Sequence, residues 1–286
     1  MDVERIAVVG AGTMGAGIAQ SAATGGFEVA LREVDEERLS AARREIERRL
    51  ERESEKERLS RDEADAALAR IGYFTSLAEC VEGADLVVEA VPEQMELKVE
   101  IFSELDELCA PKTVLATNTS TMSPTEIAAS TNRADRCIAM HFFNPVPRMK
   151  LVELVRGLDT SDETTGTARG VAESMGKETV EVNEFPGFVT SRMNCMIGNE
   201  AMNMLTEGVA SAEDIDKAMK LGLNHPMGPL ELADLVGLDA RLRNVEYLHE
   251  TLGERFRPSP LLVKYVKAGR LGRKTGRGFY DYENGE

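Results

Sequence analysis

The amino-acid sequence predicts an α/β fold, with a doubly wound sheet in a first domain and a smaller, all-α second domain. Short apolar segments of strand length alternate with helical segments through the first two thirds of the 286 residues. The first apolar segment runs into a glycine-rich turn, which is typical of a strand that leads into a helix. Beyond residues 183–187 this alternation gives way to helical segments punctuated by glycine and proline. We therefore expect two domains, residues 1–184 and 185–286.

The glycine-rich turn follows a strand that begins at Arg5. Gly10, Gly12 and Gly15 have the spacing G-x-G-x-x-G. The first glycine allows a tight turn, the second lets the backbone approach a pyrophosphate, and the third lets the helix pack against the strand. Free N–H groups at the start of that helix bind the phosphates. The turn predicts a Rossmann-type dinucleotide site, in preference to a glycine turn that binds no ligand.

A carboxylate supports this interpretation. The second predicted strand, residues 28–32, ends at Glu33, about 20 residues after the glycines, where a ribose 2′-hydroxyl needs an acceptor. Glu33 favours NAD. Arg32 beside it could instead meet a 2′-phosphate, so NADP stays open as an alternative.

The highly charged stretch that follows, about residues 36–70, predicts a helical excursion from the sheet domain. Leu39, Ala42, Ile46 and Leu50 recur at helical spacing, which indicates an amphipathic helix with a solvated outer face. Residues 54–61 are expected to form its turn and residues 62–69 a short return helix. Two interpretations stay open, a solvated excursion and a flap that contacts substrate.

The remaining elements follow from apolar runs and helical spacing. Further strands of the first domain are predicted at residues 84–91, 113–116, 136–141, 151–155 and 177–182, with a helix at 94–109. The crossovers between such strands are expected to be right-handed. The second domain is expected to have helices at residues 188–207, 212–221, 230–251 and 260–268, and a short strand at 278–282.

Charge and composition limit the partners. The formal net charge is −16, whereas a general nucleic-acid surface or an anionic membrane surface needs a positive face. The chain enters its first strand almost at once and has no apolar run of membrane-spanning length.

The four cysteines are far apart and there are three histidines, so no metal site is expected. Free thiols fit a reducing compartment, and we expect a cytoplasmic protein that binds neither nucleic acid nor membrane.

One histidine lies where a catalytic base would be useful. His141 ends an apolar strand, at the sheet edge where ligands bind in doubly wound folds. Glu153 lies on the next strand and could face it across a short turn. A carboxylate fixes the imidazole tautomer and stabilises the imidazolium, so the pair could act as a general base. Ser120, after the preceding strand, could form a hydrogen bond in the same crevice. The alternative is a packed histidine with an unrelated carboxylate.

Several motifs together resemble one family, the short stand-alone L-3-hydroxyacyl-CoA dehydrogenases, which include bacterial 3-hydroxybutyryl-CoA dehydrogenases. The resemblance covers essentially the whole chain. It lies in residues 10–20 (GAGTMGAGIAQ), 88–90 (VEA), 118–120 (NTS), 141–145 (HFFNP), 149–153 (MKLVE), 186–188 (PGF), 213–220 (EDIDKAMK), 224–229 (NHPMGP) and 271–280 (LGRKTGRGFY).

The resemblance implies roles for individual residues. His141 would remove the 3-hydroxyl proton while C3 passes a hydride to the nicotinamide, and Glu153 would orient His141. Ser120 would bond the substrate oxygen, and Asn144 would help to hold the site together. The implied cofactor-binding residues are Gly10, Gly12, Thr13, Met14, Gly15, Glu33, Ala90, Glu93, Lys98 and Asn118.

The sequence departs from the family pattern at two places. Glu33 stands where the family usually has aspartate. Ser191 stands where the family has an asparagine near the substrate, and serine has a shorter reach and no amide donors. Either Ser191 suffices as a catalytic and substrate-binding residue, or Asn194 replaces the asparagine from one helical turn later.

The resemblance implies an NAD-dependent oxidoreductase of lipid metabolism that interconverts (S)-3-hydroxyacyl-CoA, with 3-hydroxybutyryl-CoA expected, and 3-oxoacyl-CoA. It also implies a homodimer formed through the helical domain. Lys56 and Arg58 are candidates for binding the CoA phosphates, although a solvated surface is the alternative. Another hydroxy-acid dehydrogenase of 3-hydroxyisobutyrate type would use a catalytic lysine, so the His141–Glu153 pair argues against it. A non-catalytic NAD-binding protein of crystallin type is the other alternative.

Overall fold

The computed structural model of the chain describes residues 2–282, and the chain divides into two compact units between Glu184 and Phe185. The first unit contains a mixed sheet with helices on both faces. The second unit is helical. The predicted fold class, a doubly wound α/β sheet followed by an all-α part, is confirmed.

The sheet has eight strands within the described residues, in the order β3-β2-β1-β4-β5-β6-β7-β8. Their bounds are β1 Arg5–Val9, β2 Glu28–Arg32, β3 Ile71–Phe74, β4 Leu86–Glu89, β5 Val114–Thr117, β6 Cys137–Phe142, β7 Leu151–Arg156 and β8 Glu178–Asn183. Neighbouring strands are parallel except for β6 and β7, which run antiparallel. Antiparallel pairing permits a short connection, whereas a parallel pair requires a longer crossover.

The helices of the first unit are α1 Thr13–Thr24, α2 Glu36–Glu55, α3 Arg61–Ala69, α4 Leu77–Val81, α5 Met95–Leu108, α6 Pro124–Ala128 and α7 Asp162–Ser174. Several begin at side-chain caps that bond an unpaired N–H of the first turn. Asp35 caps α2, and Ser60 forms a capping box with Glu63 at the start of α3. The charged excursion is therefore two capped helices joined by a turn.

The core of the first unit lies on both faces of the sheet. Along β1 the side chains alternate, with Ile6 and Val8 in one apolar cluster and Ala7 and Val9 in the other. The first cluster also contains the buried faces of α1, α2, α3 and α7, and the second contains those of α4 and α5. A strand with both faces buried fits the near-continuous apolar runs in the sequence.

The second unit contains α8 Thr190–Thr206, α9 Ala212–Gly222, α10 Pro229–Val236, α11 Leu238–Leu252 and α12 Pro260–Lys267. Two buried carboxylates attach the C-terminal segment to these helices. Asp234 accepts hydrogen bonds from the N–H groups of Phe279 and Tyr280, and Asp216 accepts one from the Tyr280 hydroxyl. Burial raises the pKa of Asp234. Within residues 2–282 the structure contains no helix long and apolar enough to cross a membrane.

The structure differs from the sequence prediction at several elements. The short helices α4 and α6 and the longer helix α7 were not among the predicted helices. β3 was not predicted, because its four residues include Gly72 and show no clear alternation. The single helix predicted over residues 230–251 is wrong, because Gly237 has φ +101° and separates α10 from α11. The strand predicted at 278–282 is also wrong, since Arg277 forms only isolated bridges, with Gly272 and Asp281.

Candidate active site

The predicted site residues of the first unit gather where β1, β4, β5 and β6 end. β1 lies between β2 and β4, so the order of the strands reverses direction there. In open α/β sheets, ligands bind outside the carboxyl ends of the strands at such a switch point. The sheet topology therefore places the glycine turn, residues 10–15, beside the ends of β2 and β4.

The glycine turn has the close approaches that require glycine. Gly10 has φ +102°, and a Cβ there would lie 2.7 Å from the carbonyl oxygen of Ala90. A Cβ at Gly15 would lie 1.7 Å from the carbonyl oxygen of Gly10, so even alanine would displace the turn. A Cβ at Gly12, by contrast, would meet no protein atom within 4 Å among the described residues. The exposed backbone at Gly12, directly before α1, fits a pyrophosphate.

Thr13 and Met14 form the first residues of α1. Thr13 is exposed and Met14 is half-buried. Their N–H groups belong to the first turn of the helix, where N–H groups have no partner within the helix. The structure therefore puts both residues beside the expected phosphate position.

Glu33 lies against the glycine turn. Its Oε2 accepts a hydrogen bond from the Ala11 N–H at 3.1 Å, and its Oε1 accepts one from the Val34 N–H at 2.9 Å. The carboxylate of Glu33 therefore lies at the end of β2, directly beside the glycine turn. The neighbouring Arg32 Nε donates to the carbonyl oxygen of Thr75 at 3.2 Å, which ties this guanidinium to the segment after β3.

A buried ion pair lies behind the glycine turn, between Lys98 of α5 and Glu89 at the end of β4. Lys98 Nζ is 2.8 Å from Glu89 Oε1 and 3.0 Å from Oε2, and both side chains are fully buried. The Val91 N–H and the Thr117 hydroxyl also donate to Glu89, at 2.7 and 2.6 Å. Sequence reasoning did not select Glu89. Its position could have indicated a role, because Glu89 is a carboxylate that directly follows the apolar residues 86–88 in one strand.

The same ammonium reaches a second carboxylate. Lys98 Nζ lies 3.3 Å from Glu93 Oε2. Glu93 Oε1 accepts hydrogen bonds from the Thr119 hydroxyl at 2.6 Å and from the Ser120 N–H at 2.9 Å, with the Ser120 Oγ at 3.4 Å. Lys98 thus holds Glu93, and Glu93 holds the turn that carries Ser120.

Asn118 connects two strand ends. Its N–H donates to the carbonyl oxygen of Glu89 at 2.8 Å, and its Oδ1 accepts a hydrogen bond from the Phe142 N–H at 3.0 Å. Asn118 therefore links the segment after β5 to both β4 and β6. Phe142 directly follows His141, so this bond also fixes the end of the strand that carries the candidate base.

His141 and Glu153 face each other across the antiparallel pair β6–β7, as register partners. His141 Nδ1 lies 2.7 Å from Glu153 Oε2, and both side chains are buried. The ring of Phe143 packs against the imidazole, with the centroids 4.4 Å apart. This is the geometry of a histidine whose tautomer and orientation are fixed by a carboxylate. Asn144 is exposed and lies on the turn after β6.

Ser191 and Asn194 lie in the second unit, on the first turns of α8. Both are half-buried. Asn194 Oδ1 accepts a hydrogen bond from Nη2 of the buried Arg241 at 3.2 Å. Only the amide oxygen is used in this contact, so both Ser191 and Asn194 stay candidates for contact with a ligand.

Family models match almost the whole chain. Residues 5–185 match the NAD-binding domain of 3-hydroxyacyl-CoA dehydrogenase, and residues 187–282 match its C-terminal domain. The chain belongs to the 3-hydroxyacyl-CoA dehydrogenase family. The predicted family, the class of NAD-dependent oxidoreductase and NAD as the cofactor are thereby confirmed.

Individual relatives agree with this assignment. The chain is 52% identical over 284 residues to a probable 3-hydroxybutyryl-CoA dehydrogenase of Bacillus subtilis, covering 99% of each chain. It is 41% identical over 288 residues to the human mitochondrial hydroxyacyl-coenzyme A dehydrogenase, covering 98% of this chain and 92% of the relative. The crystal structure of (S)-3-hydroxybutyryl-CoA dehydrogenase from Ralstonia eutropha superposes with a TM-score of 0.95 at 44% identity, covering 99% of this chain and 100% of that one.

The buried ion pair generates a prediction. Lys98→Met would leave the Glu89 carboxylate buried without its counterion, which costs about 3–5 kcal/mol in the free energy of unfolding. Denaturant unfolding measures this loss. Lys112→Met is the matched control, because the Lys112 side chain is exposed and its partner Asp85 keeps hydrogen bonds from the N–H groups of Glu4 and Arg5, so this loss should be much smaller.

The double variant Glu89→Gln/Lys98→Met removes both charges and should recover part of the stability. Equal losses for Lys98→Met and Lys112→Met would contradict the assignment of Lys98 as the counterion of a buried carboxylate.

Proposed function

We propose that this protein interconverts (S)-3-hydroxybutyryl-CoA and acetoacetyl-CoA with NAD. The contact between His141 and Glu153 is the observation that carries the proposal, because it supplies an oriented base at the ligand edge of an NAD-binding sheet. The four-carbon substrate is inferred from relatives that are named 3-hydroxybutyryl-CoA dehydrogenases.

His141 would accept the 3-hydroxyl proton at Nε2, since Nδ1 is engaged with Glu153. Glu153 would stabilise the imidazolium that results. NAD, when bound, supplies the acceptor for the hydride that leaves C3, so that C3 becomes a carbonyl carbon. Ser120 would donate a hydrogen bond to the oxygen on C3. Asn144 and Ser191 would complete the substrate contacts, from the turn after β6 and from α8 respectively.

The residues of the first unit fit NAD. Gly10, Gly12, Thr13, Met14 and Gly15 would face the pyrophosphate, and Glu33 would bond the adenosine ribose. Ala90, Glu93 and Asn118 would lie along the nicotinamide half. Lys98 is fully buried against Glu89 and Glu93, so we propose that it orients Glu93 toward the cofactor.

An acyl-CoA substrate needs cations for its phosphates, in a chain of net charge −16. Lys56 directly follows α2 and is exposed, while the guanidinium of Arg58 lies 3.4 Å from the Glu53 carboxylate. Lys56 is therefore the stronger candidate of the two for a CoA phosphate. The alternative is that both belong to a solvated surface.

A homodimer through the second unit is also proposed. The observation that supports it is an apolar stripe on α8 and the residue before it: Val189, Met193 and Met196 are 52%, 57% and 40% exposed. Residues at this spacing share one helix face.

A cytoplasmic location is proposed from the four free cysteines, which fit a reducing compartment.

The activity is tested by following NADH oxidation with acetoacetyl-CoA. His141→Ala should lower kcat by about 10²–10⁴-fold, the usual contribution of a general acid–base group. Binding of NADH, measured by fluorescence, should change by less than about twofold, because His141 contributes to the chemical step.

His249→Ala is the matched control. His249 pairs with Glu254 at 3.3 Å within the second unit, and its loss should leave kcat unchanged. Absence of turnover in the unmodified protein would contradict the proposed substrate. Full turnover by His141→Ala would contradict the role of His141.

The choice of cofactor gives a separate prediction. NADH should be preferred to NADPH by about 10²-fold in kcat/KM, because a 2′-phosphate would meet the Glu33 carboxylate at the glycine turn. Glu33→Gln should reduce this preference, and Glu37→Gln, on the exposed face of α2, should not. Equal kcat/KM values for both cofactors in the unmodified protein would contradict the role of Glu33.

A further inference from the structure

A buried lysine that the proposed reaction does not use lies directly before β8. Lys177 is 7% exposed, and burial lowers the pKa of its ammonium group. Nζ donates to the carbonyl oxygen of Val146 at 2.6 Å and to that of Met149 at 3.0 Å. Within residues 2–282 Lys177 forms no ion pair. A buried ammonium is unfavourable without strong acceptors, so these two carbonyls are what stabilise it.

Both carbonyls belong to one turn. The β6–β7 turn, residues 143–150, joins the strand of His141 to the strand of Glu153. Within it the carbonyl oxygen of Pro145 accepts hydrogen bonds from the N–H groups of Arg148 and Met149, each at 3.0 Å. Lys177 bonds one carbonyl in the middle of this turn, that of Val146, and one near its end, that of Met149. It therefore holds the second half of the turn, which directly follows Asn144 and Pro145, in one conformation.

The other side of the β6–β7 turn rests on the helix that follows the glycine turn. Val146 is buried, and a Cβ at Gly17 of α1 would lie 2.9 Å from the Cβ of Val146. Such an approach leaves no room for a side chain at residue 17. The turn is thus fixed between α1 and Lys177, and Asn144 is carried on it.

We propose that Lys177 is a positioning residue for the dehydrogenase reaction. Its ammonium group holds the β6–β7 turn in the conformation that presents Asn144 and keeps His141 in register with Glu153. Lys177 acts through the turn and touches neither substrate nor cofactor. This inference rests on the proposed function, because the turn matters for turnover only if His141 is the base.

The test compares Lys177→Met and Lys177→Gln with Lys150→Met. Lys150 is exposed at the end of the same turn, so it is a matched control for loss of a positive charge. In NADH oxidation with acetoacetyl-CoA, both Lys177 variants should lose about tenfold or more in kcat, since a catalytic group misplaced by about 1 Å can lower the rate by about 10²-fold. The dissociation constant for NADH should stay within about twofold. Lys177→Arg, which keeps charge and donors, should recover part of kcat.

Hydrogen exchange followed by mass spectrometry gives a readout that does not depend on turnover. Peptides covering residues 143–150 should exchange faster in the Lys177 variants, with the rest of the first unit unchanged. If the unmodified protein shows no turnover, the proposed function fails, and faster exchange confined to this turn would still support Lys177 as the residue that holds it.

Folded Lys177→Met or Lys177→Gln with the kcat and exchange of the unmodified protein would overturn the proposal. So would loss of the whole fold in both variants while Lys150→Met stays folded, because Lys177 would then support the domain in general and not the turn.

Discussion

The pairing of His141 with Glu153 depends on the direction in which β7 runs. β6 is parallel to β5, but β7 returns antiparallel after the turn at residues 143–150, and this brings the two side chains opposite each other. A slip of one residue in this register would turn one of the two side chains to the other face of the sheet. The register is therefore the constraint on which the candidate site depends, and the contacts of the neighbouring elements preserve it.

Those contacts use buried polar groups where apolar packing alone would be more common. The Asn118 side chain bonds the N–H of Phe142, and the buried ammonium of Lys98 holds Glu89 and Glu93 behind the glycine turn. Buried ionic groups of this kind contribute little net stability, but removing one partner is strongly destabilising. These contacts link the ends of β4, β5 and β6 to one another. This suits a site in which the hydroxyl proton and the hydride of a substrate must leave toward different acceptors at the same time.

Much of the fold and part of the site follow from local sequence patterns. Gly10, Gly12 and Gly15 mark a turn whose geometry excludes a Cβ at two of the three positions, and Glu33 follows directly at the end of a strand. The remaining features depend on contacts between distant residues. Gly237 breaks a helix although the helical spacing continues through it, because its backbone adopts a positive φ. Lys177 lies about 30 residues from the turn whose carbonyls it bonds, and nothing in its local sequence indicates burial.

The central claim is that Glu153 keeps His141 in the orientation and tautomer of a general base. The most direct test is the turnover number of Glu153→Gln in NADH oxidation with acetoacetyl-CoA, compared with Glu181→Gln on the exposed strand β8. An amide in place of Glu153 cannot stabilise the imidazolium, so kcat should fall by about 10²-fold or more while the circular dichroism spectrum and NADH binding are retained. Glu181→Gln should keep the kcat of the unmodified protein. A folded Glu153→Gln variant whose kcat stays within about threefold of the unmodified enzyme would contradict the account.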